Sequence, residues 1–431
     1  MRNVIFAYFG RLISFALLLL AWPLALQAQQ SDIFYTHPID SHVKTLRTIV
    51  DDDFMLLPVI DNSQNTSLEI SFDYLANEEK YIEYSIVHCD AQWRQDHLSE
   101  LDYVDGFMPV KVDGVQPSFN TFTNYFHYSV QFPNETVRLQ VSGNYAVVFH
   151  EEGDPETPLA IATFSVSEQL AFVSGNVSAS TDIDYLAEHQ QLTLQCTWSQ
   201  TQLPYLDAAH DLQLVVTQNR RQDTRRTLSA PSRMESGKAV YEHQSPLIFE
   251  AGNTFRRFEF TDYRYATFGV DHVTYHAPDY HVSLIPDLAR TGGFFRYDQD
   301  QHGRYLVHAL RVDDVATESE YFFAEFCLSG AMPPKGNGGI YLTGDFTYGE
   351  TTDGYRMTYD LERQCYTAMV QLKQGHYNYQ YLVKKADGTL TPSIVEGNYY
   401  ETNNQYEVYV YYRPIGARYD RLLGVAQFEK K

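Results

Sequence analysis

The stretch Asn120–His150, NTFTNYFHYSVQFPNETVRLQVSGNYAVVFH, decides how the chain is to be read. Tyr125, Phe126, Tyr128, Val130 and Phe132 crowd one run of β-favouring residues, which Pro133-Asn134-Glu135 breaks. Val137, Leu139 and Val141 then alternate with polar residues, Ser142-Gly143-Asn144 turns the chain, and Tyr145, Val147 and Phe149 alternate again. Apolar residues at period two, separated by turn chemistry, predict antiparallel strands with one buried face.

The same pattern extends in both directions. Upstream, Leu68, Ile70, Phe72 and Tyr74 alternate after the turn Asp61–Asn65, and Ile82, Tyr84 and Ile86 share one face of a strand ending at His88. Residues 89–118 carry no period and much loop chemistry, which makes this insertion a candidate contact surface. Ala160, Ala162, Phe164 and Val166 close the first unit. In the second, Leu192, Leu194, Cys196 and Trp198 alternate, as do Leu212, Leu214 and Val216. The basic cluster Asn219–Arg226 that follows reads as a solvated hairpin tip. A connector, Asp287–Val315, leads to a third unit with alternation at Phe322–Leu328, Tyr366–Leu372 and Tyr377–Val383 and a last strand Tyr406–Tyr412. Its roughly seven short strands describe an immunoglobulin-like sandwich. The expected class is therefore all-β, with tandem immunoglobulin-like β-sandwich domains at 29–168, 169–315 (connector included) and 316–413. The tail 414–431 shows no alternation, so Leu422, Leu423, Val425 and Phe428 would be exposed unless they dock on something.

Composition agrees. The 431 residues include 34 Tyr and 26 Phe, types that favour pleated, half-buried surfaces. Arg2 and Arg11 precede an apolar run, Leu12–Leu26, and Gln27-Ala28 offers a small residue for cleavage, the order of a secretory leader at 1–28. Pro23 interrupts that run well short of the roughly 20 residues a spanning helix needs. Without the two leader arginines, 30 Lys and Arg face 55 Asp and Glu, a net charge of about −25. Such a surface repels nucleic acid and anionic lipid. Four cysteines are too few for a disulfide framework; Cys327–Cys365 is the easiest pair to imagine, but spacing does not decide it.

Little in the chain points to catalysis or a cofactor. His272 and His276 share a strand face about 13 Å apart, too far to bind one metal ion unless Pro278 folds the chain back. His88 and Cys89 are neighbours on a strand and point to opposite faces, so the histidine does not activate the thiol. Asp51-Asp52-Asp53 lacks the spacing of a calcium loop. No GxSxG, HExxH or phosphate-loop motif occurs. In the third unit, IYLTGDFTYGE and VQLKQGHYNYQYLV are similar to the glycogen-binding type of carbohydrate module. Gly344 and Phe346 match that family's pattern, whereas Thr347 and Gly349 replace its Asn and stacking Trp. A glycan-binding role, with Tyr377 or Tyr379 as the stacking ring, is the alternative this resemblance implies.

A second resemblance covers nearly the whole mature chain. HCDAQW (His88–Trp93), NYFHYSVQFPNE and SGNY mark the first domain, and TQNRR (Thr217–Arg221) and AGNTFRRFEF (Ala251–Phe260) the second. LKQGHYNYQYLV, EGNYYETNNQYEVYVYYRP (Glu396–Pro414) and RYDRLLG (Arg418–Gly424) mark the third and the tail. In this order they resemble the type 9 secretion system plug family. The resemblance implies a periplasmic protein at the inner face of the outer membrane, without a cofactor or catalytic site and not itself inserted in the membrane. Its partner would be the giant β-barrel translocon, whose pore it would occlude when no cargo is passing. The loop Cys89–Ser118 and the tail Ile415–Lys431 are the expected docking elements. Trp93, Tyr103, Phe107, Arg220, Arg221, Arg418, Arg421, Leu422 and Leu423 are the expected contact residues.

Overall fold

The computed structural model describes residues 33–61, 66–228, 230–332, 334 and 338–430, so the expected leader lies outside the described residues. Three β-sandwiches account for nearly all of the described chain. The opening stretch is split between both sheets of the first. Phe126–Phe132 pairs antiparallel with Leu68–Tyr74, whereas Gly143–Glu151 lies between Ile82–Cys89 and Pro158–Ser167 in the facing sheet. Aromatic rings close the space between them: Phe72 meets Phe149 edge-on at 5.0 Å, and Phe132 stacks on Phe164 at 5.3 Å. Gly143 is required where it stands. Its φ is +130°, and a Cβ there would lie 2.6 Å from Nε2 of His88.

Two sequence expectations are corrected in this domain. Val137–Leu139 pairs with Val104–Gly106 of the insertion in a separate two-stranded ribbon, not with the main sheets. The insertion is itself structured: Val110–Lys111 extends one main sheet and Gly114–Pro117 the other. Such short segments are too brief to display a period.

The strand pairing crosses both downstream boundaries expected from the sequence. One sheet of the middle sandwich contains Ala171–Ser178, His189–Trp198 and Lys238–Tyr241. The other runs in the order Arg221–Leu228, Leu212–Gln218, Gln405–Tyr412, Arg421–Glu429, so its last two strands come from the end of the chain. Conversely, Arg256–Phe260 pairs with Gly375–Lys384, and the hairpin Val270–His276/Asp279–Leu284 joins Tyr321–Ser329. The third sandwich is thus inserted between strands of the second. Part of the supposed connector, Tyr305–Val307, is a strand of it. Alternation reports which face of a strand is buried and carries no information about a distant partner.

The tail is likewise corrected. Arg421–Glu429 is a paired strand with Leu422 and Leu423 fully buried. Leu423 packs in the core of its own sandwich. Leu422 packs on the other face with Val215 and Tyr411 against Ala91 of the first domain.

In the third sandwich a disulfide joins Cys327 to Cys365, which the spacing left open. It constrains a sequence separation of 38 residues. Replacing both cysteines by alanine is expected to cost about 2–4 kcal/mol, measured as a lower urea midpoint of unfolding.

Candidate docking surface and the seams between domains

Several of the motif residues quoted above lie where the sandwiches meet. Between the first and middle domains, the Ala91 N–H donates to Asp420 Oδ2 at 2.8 Å, and the Tyr411 hydroxyl donates to Asn144 Oδ1 at 2.9 Å. Arg421 makes a two-pronged ion pair with Glu168. Between the middle and third domains, the Thr391 hydroxyl donates to Glu250 Oε2 at 2.8 Å and Arg304 donates to buried Gln405 Oε1. Within the third domain, buried Glu396 accepts from Arg256 and Arg290. Burial alone would raise the Glu396 carboxyl, but the two guanidiniums hold it below the usual carboxylate range.

The seam between the first and third domains is built on Asp73, which is 1% exposed. Its Oδ2 accepts from Lys373 Nζ and from the Tyr321 hydroxyl, each at 2.6 Å, and Oδ1 faces His127 Nδ1 at 2.7 Å. Lys373 also donates to the Ala316 carbonyl at 2.6 Å and lies 4.1 Å from the Tyr125 ring centroid. Desolvation opposes the charge on Asp73, yet Lys373 and His127 leave its carboxyl lowered overall.

Against this frame the nine expected contact residues divide. Tyr103 is a core residue whose hydroxyl donates to the Ile86 carbonyl at 3.0 Å. Leu422 and Leu423 are buried, and Arg421 is committed to Glu168. Arg220 is not part of a solvated tip. With Asn219 it forms a hairpin turn with φ of 53° and 57°, and it donates to the Met55 and Leu56 carbonyls of the first domain. Arg221 pairs with Asp223. Trp93 is half-buried in the turn after Asp90. Arg418 remains at the surface, bidentate to Asp102. That pair is solvent-screened, so Arg418→Ala is expected to leave the melting temperature unchanged within error by differential scanning fluorimetry. Phe107 alone is a large apolar side chain left in water, 92% exposed beside Leu101 at 85%.

The sequence reading missed a larger feature. Phe122, on a loop of the first domain, meets Tyr275 at 5.3 Å and Tyr280 at 5.8 Å on the edge hairpin of the third. Tyr263 continues the row by stacking on Tyr280 at 5.0 Å. Phe122, Tyr263 and Tyr275 are all exposed. The loop is pinned, because the backbone N–H groups of Phe122 and Thr123 donate to the buried carboxylate of Glu320 at 2.5 and 3.1 Å. Rigid aromatic side chains in water are the kind of group that carries binding energy at protein interfaces. The signal was present in the density of DYRY and VTYHAPDYH, but a strand period does not distinguish the outward face of an edge hairpin from an inward one. His276 and His281 sit side by side there, ring centroids 5.1 Å apart, with His281 stacked on Phe323.

Tyr377 and Tyr379, the rings a sugar would need, are 1% and 3% exposed and pack with Phe346 and Phe326 in the third core. They are unavailable for stacking, so the glycan site implied by the module resemblance is corrected. Cys89 is buried, which pushes its thiol up, away from the reactive thiolate. Among the described residues no helix is long and apolar enough to cross a membrane.

Residues 43–168, essentially the first sandwich, match the model of the type 9 secretion system plug protein 1st domain. The chain belongs to the type 9 secretion system plug family. It is also similar to a hypothetical protein from Parabacteroides merdae whose crystal structure is known. The two are 36% identical with a TM-score of 0.89, over 93% of this chain and 100% of that one. A Pseudomonas fluorescens alkylpurine DNA glycosylase bound to DNA gives a TM-score of 0.17 at 14% identity, over 29% of this chain and 30% of that one, and carries no argument. No curated protein matches. Plug-family membership gives the chain a role in type 9 secretion.

Proposed function

We propose that the mature chain is the periplasmic plug of the type 9 translocon. It binds the very large outer-membrane β-barrel and occludes its pore when no cargo is in transit. The match of the first sandwich to the plug family carries this reading. The architecture supports it, because an occluding body must not deform, and each of the three sandwiches is tied to the other two by buried hydrogen bonds or ion pairs. Its role is binding, not catalysis.

The pinned aromatic row Phe122–Tyr275–Tyr280–Tyr263 is the proposed principal docking surface, with Phe107 and Leu101 as a second contact. A stable complex of this kind buries on the order of 1,600 Å². The tagged mature protein, passed over detergent-solubilised outer membranes of its host, is expected to retain one very large barrel protein in the absence of cargo. Retention of no barrel at low salt would remove the plug reading.

A further inference from the structure

A cavity of about 210 Å³, open to solvent on one side, lies where the three sandwiches meet. One water needs roughly 10–15 Å³ on the same scale, so there is room for a small molecule. Three of the arginines in its wall come one from each domain: Arg47 from the strand Val43–Val50, Arg220 from the turn after Leu212–Gln218, and Arg304 from the segment before Tyr305–Val307, while the fourth, Arg221, is paired with Asp223. The Nε atoms of Arg47, Arg220 and Arg304 are buried and have no hydrogen-bond partner. Arg304 is 1% exposed; its other nitrogens donate to Gln301 O and Gln405 Oε1. The Arg47 side chain makes no hydrogen bond or ion pair among the described residues.

Placing like charges together out of water is costly unless something answers them. Of the carboxylates around them, Asp223 is paired with Arg221, burial raises the Glu407 carboxyl, and Asp345 answers them poorly. Its burial raises its pKa in spite of Arg220 and Arg304, so it holds its negative charge less readily than a surface aspartate. Burial and the charge of Arg220 in turn push Arg304 down to about 10, which still leaves it cationic at neutral pH. The remaining wall includes Leu46 and Phe255, which suit the non-ionic part of a ligand.

We propose that this junction is a binding site for a small oxyanion, a carboxylate or a phosphate group, gripped by one arginine from each domain. Guanidinium forks with free N–H groups match the paired oxygens of such anions. The bound anion then fastens all three sandwiches to a common point. This inference does not depend on the plug reading.

Calorimetric titration of the full mature chain with inorganic phosphate and, separately, with succinate tests it, with chloride holding ionic strength constant. Saturable binding of at least one probe is expected, with a matching rise in melting temperature. Phosphate alone, succinate alone or both would identify which oxyanion chemistry the site accepts. Arg47→Gln is the decisive variant, since Arg47 has no structural partner to lose: it is expected to fold normally and weaken binding at least about tenfold. Arg304→Gln should do the same if it folds. No binding of either probe at millimolar concentration, or undiminished binding by Arg47→Gln, would overturn the proposal.

Discussion

Replacing Lys373 by alanine is expected to destabilise the folded chain by about 3–5 kcal/mol, seen as a large drop in the urea midpoint. The cause is the charge left behind. Asp73 is 1% exposed and has three polar neighbours, of which Lys373 is the only ammonium. Removing the ammonium leaves a buried carboxylate with a hydroxyl and an imidazole, and removes a cation from the face of Tyr125. The double replacement Asp73→Leu with Lys373→Met should recover much of the loss, because no buried charge is then unpaired. A single-variant loss below about 1 kcal/mol would mean that the seam does not depend on this pair. The same residue fixes a pH dependence. The Asp73 carboxyl lies lower in the folded state than its ordinary value of 3.8, so the folded state binds its proton less readily than the unfolded chain. Its contribution is therefore complete above the unfolded carboxylate range and is lost as pH falls through the folded value. Glu396 acts in the same direction. Unfolding midpoints should hold from neutral pH to mild acid and fall only in strong acid.

The second large effect concerns the aromatic row. Phe122→Ser combined with Tyr275→Ser is expected to abolish retention of the barrel while leaving the melting temperature close to that of the parent chain. Aromatic hot spots are worth about 2 kcal/mol or more each, roughly 30-fold in affinity. These two rings touch at 5.3 Å, so their effects will couple and not simply add. Both are exposed, and neither belongs to a core cluster. Stability and binding are thereby separated, as they are not for Tyr103 or Leu422. Undiminished retention by the pair would shift the docking surface to Leu101 and Phe107.

Much of the fold was legible because the strands of the first domain place apolar residues at period two on the face that packs in the core. Leu68–Tyr74 and Ile82–Cys89 show their alternation plainly, whereas the turn expected at Ser142-Gly143-Asn144 falls earlier, at Gln140–Ser142, with Gly143 and Asn144 already paired in the strand. Legibility failed where a sheet is covered on both sides. In Gln405–Tyr412, Tyr406, Val408, Val410 and Tyr412 face the middle core, while Tyr409 and Tyr411 face the first domain. In Arg421–Glu429 the adjacent Leu422 and Leu423 serve two different cores, so the period vanishes and the segment reads as an unstructured tail. The contact residues were misassigned for a related reason. Arg220, Arg421 and Leu422 do bind another surface, but that surface belongs to the same chain. Charged and apolar residues at an internal seam have the composition of an external interface, and only the fold tells them apart.

Pore closure by the chain is tested most directly by the ionic conductance of the purified translocon barrel in a planar bilayer. Adding the mature protein to the periplasmic side is predicted to abolish most of the open-pore current, and the Phe122→Ser/Tyr275→Ser variant to leave it flowing. An unchanged current at protein concentrations that saturate binding would contradict occlusion.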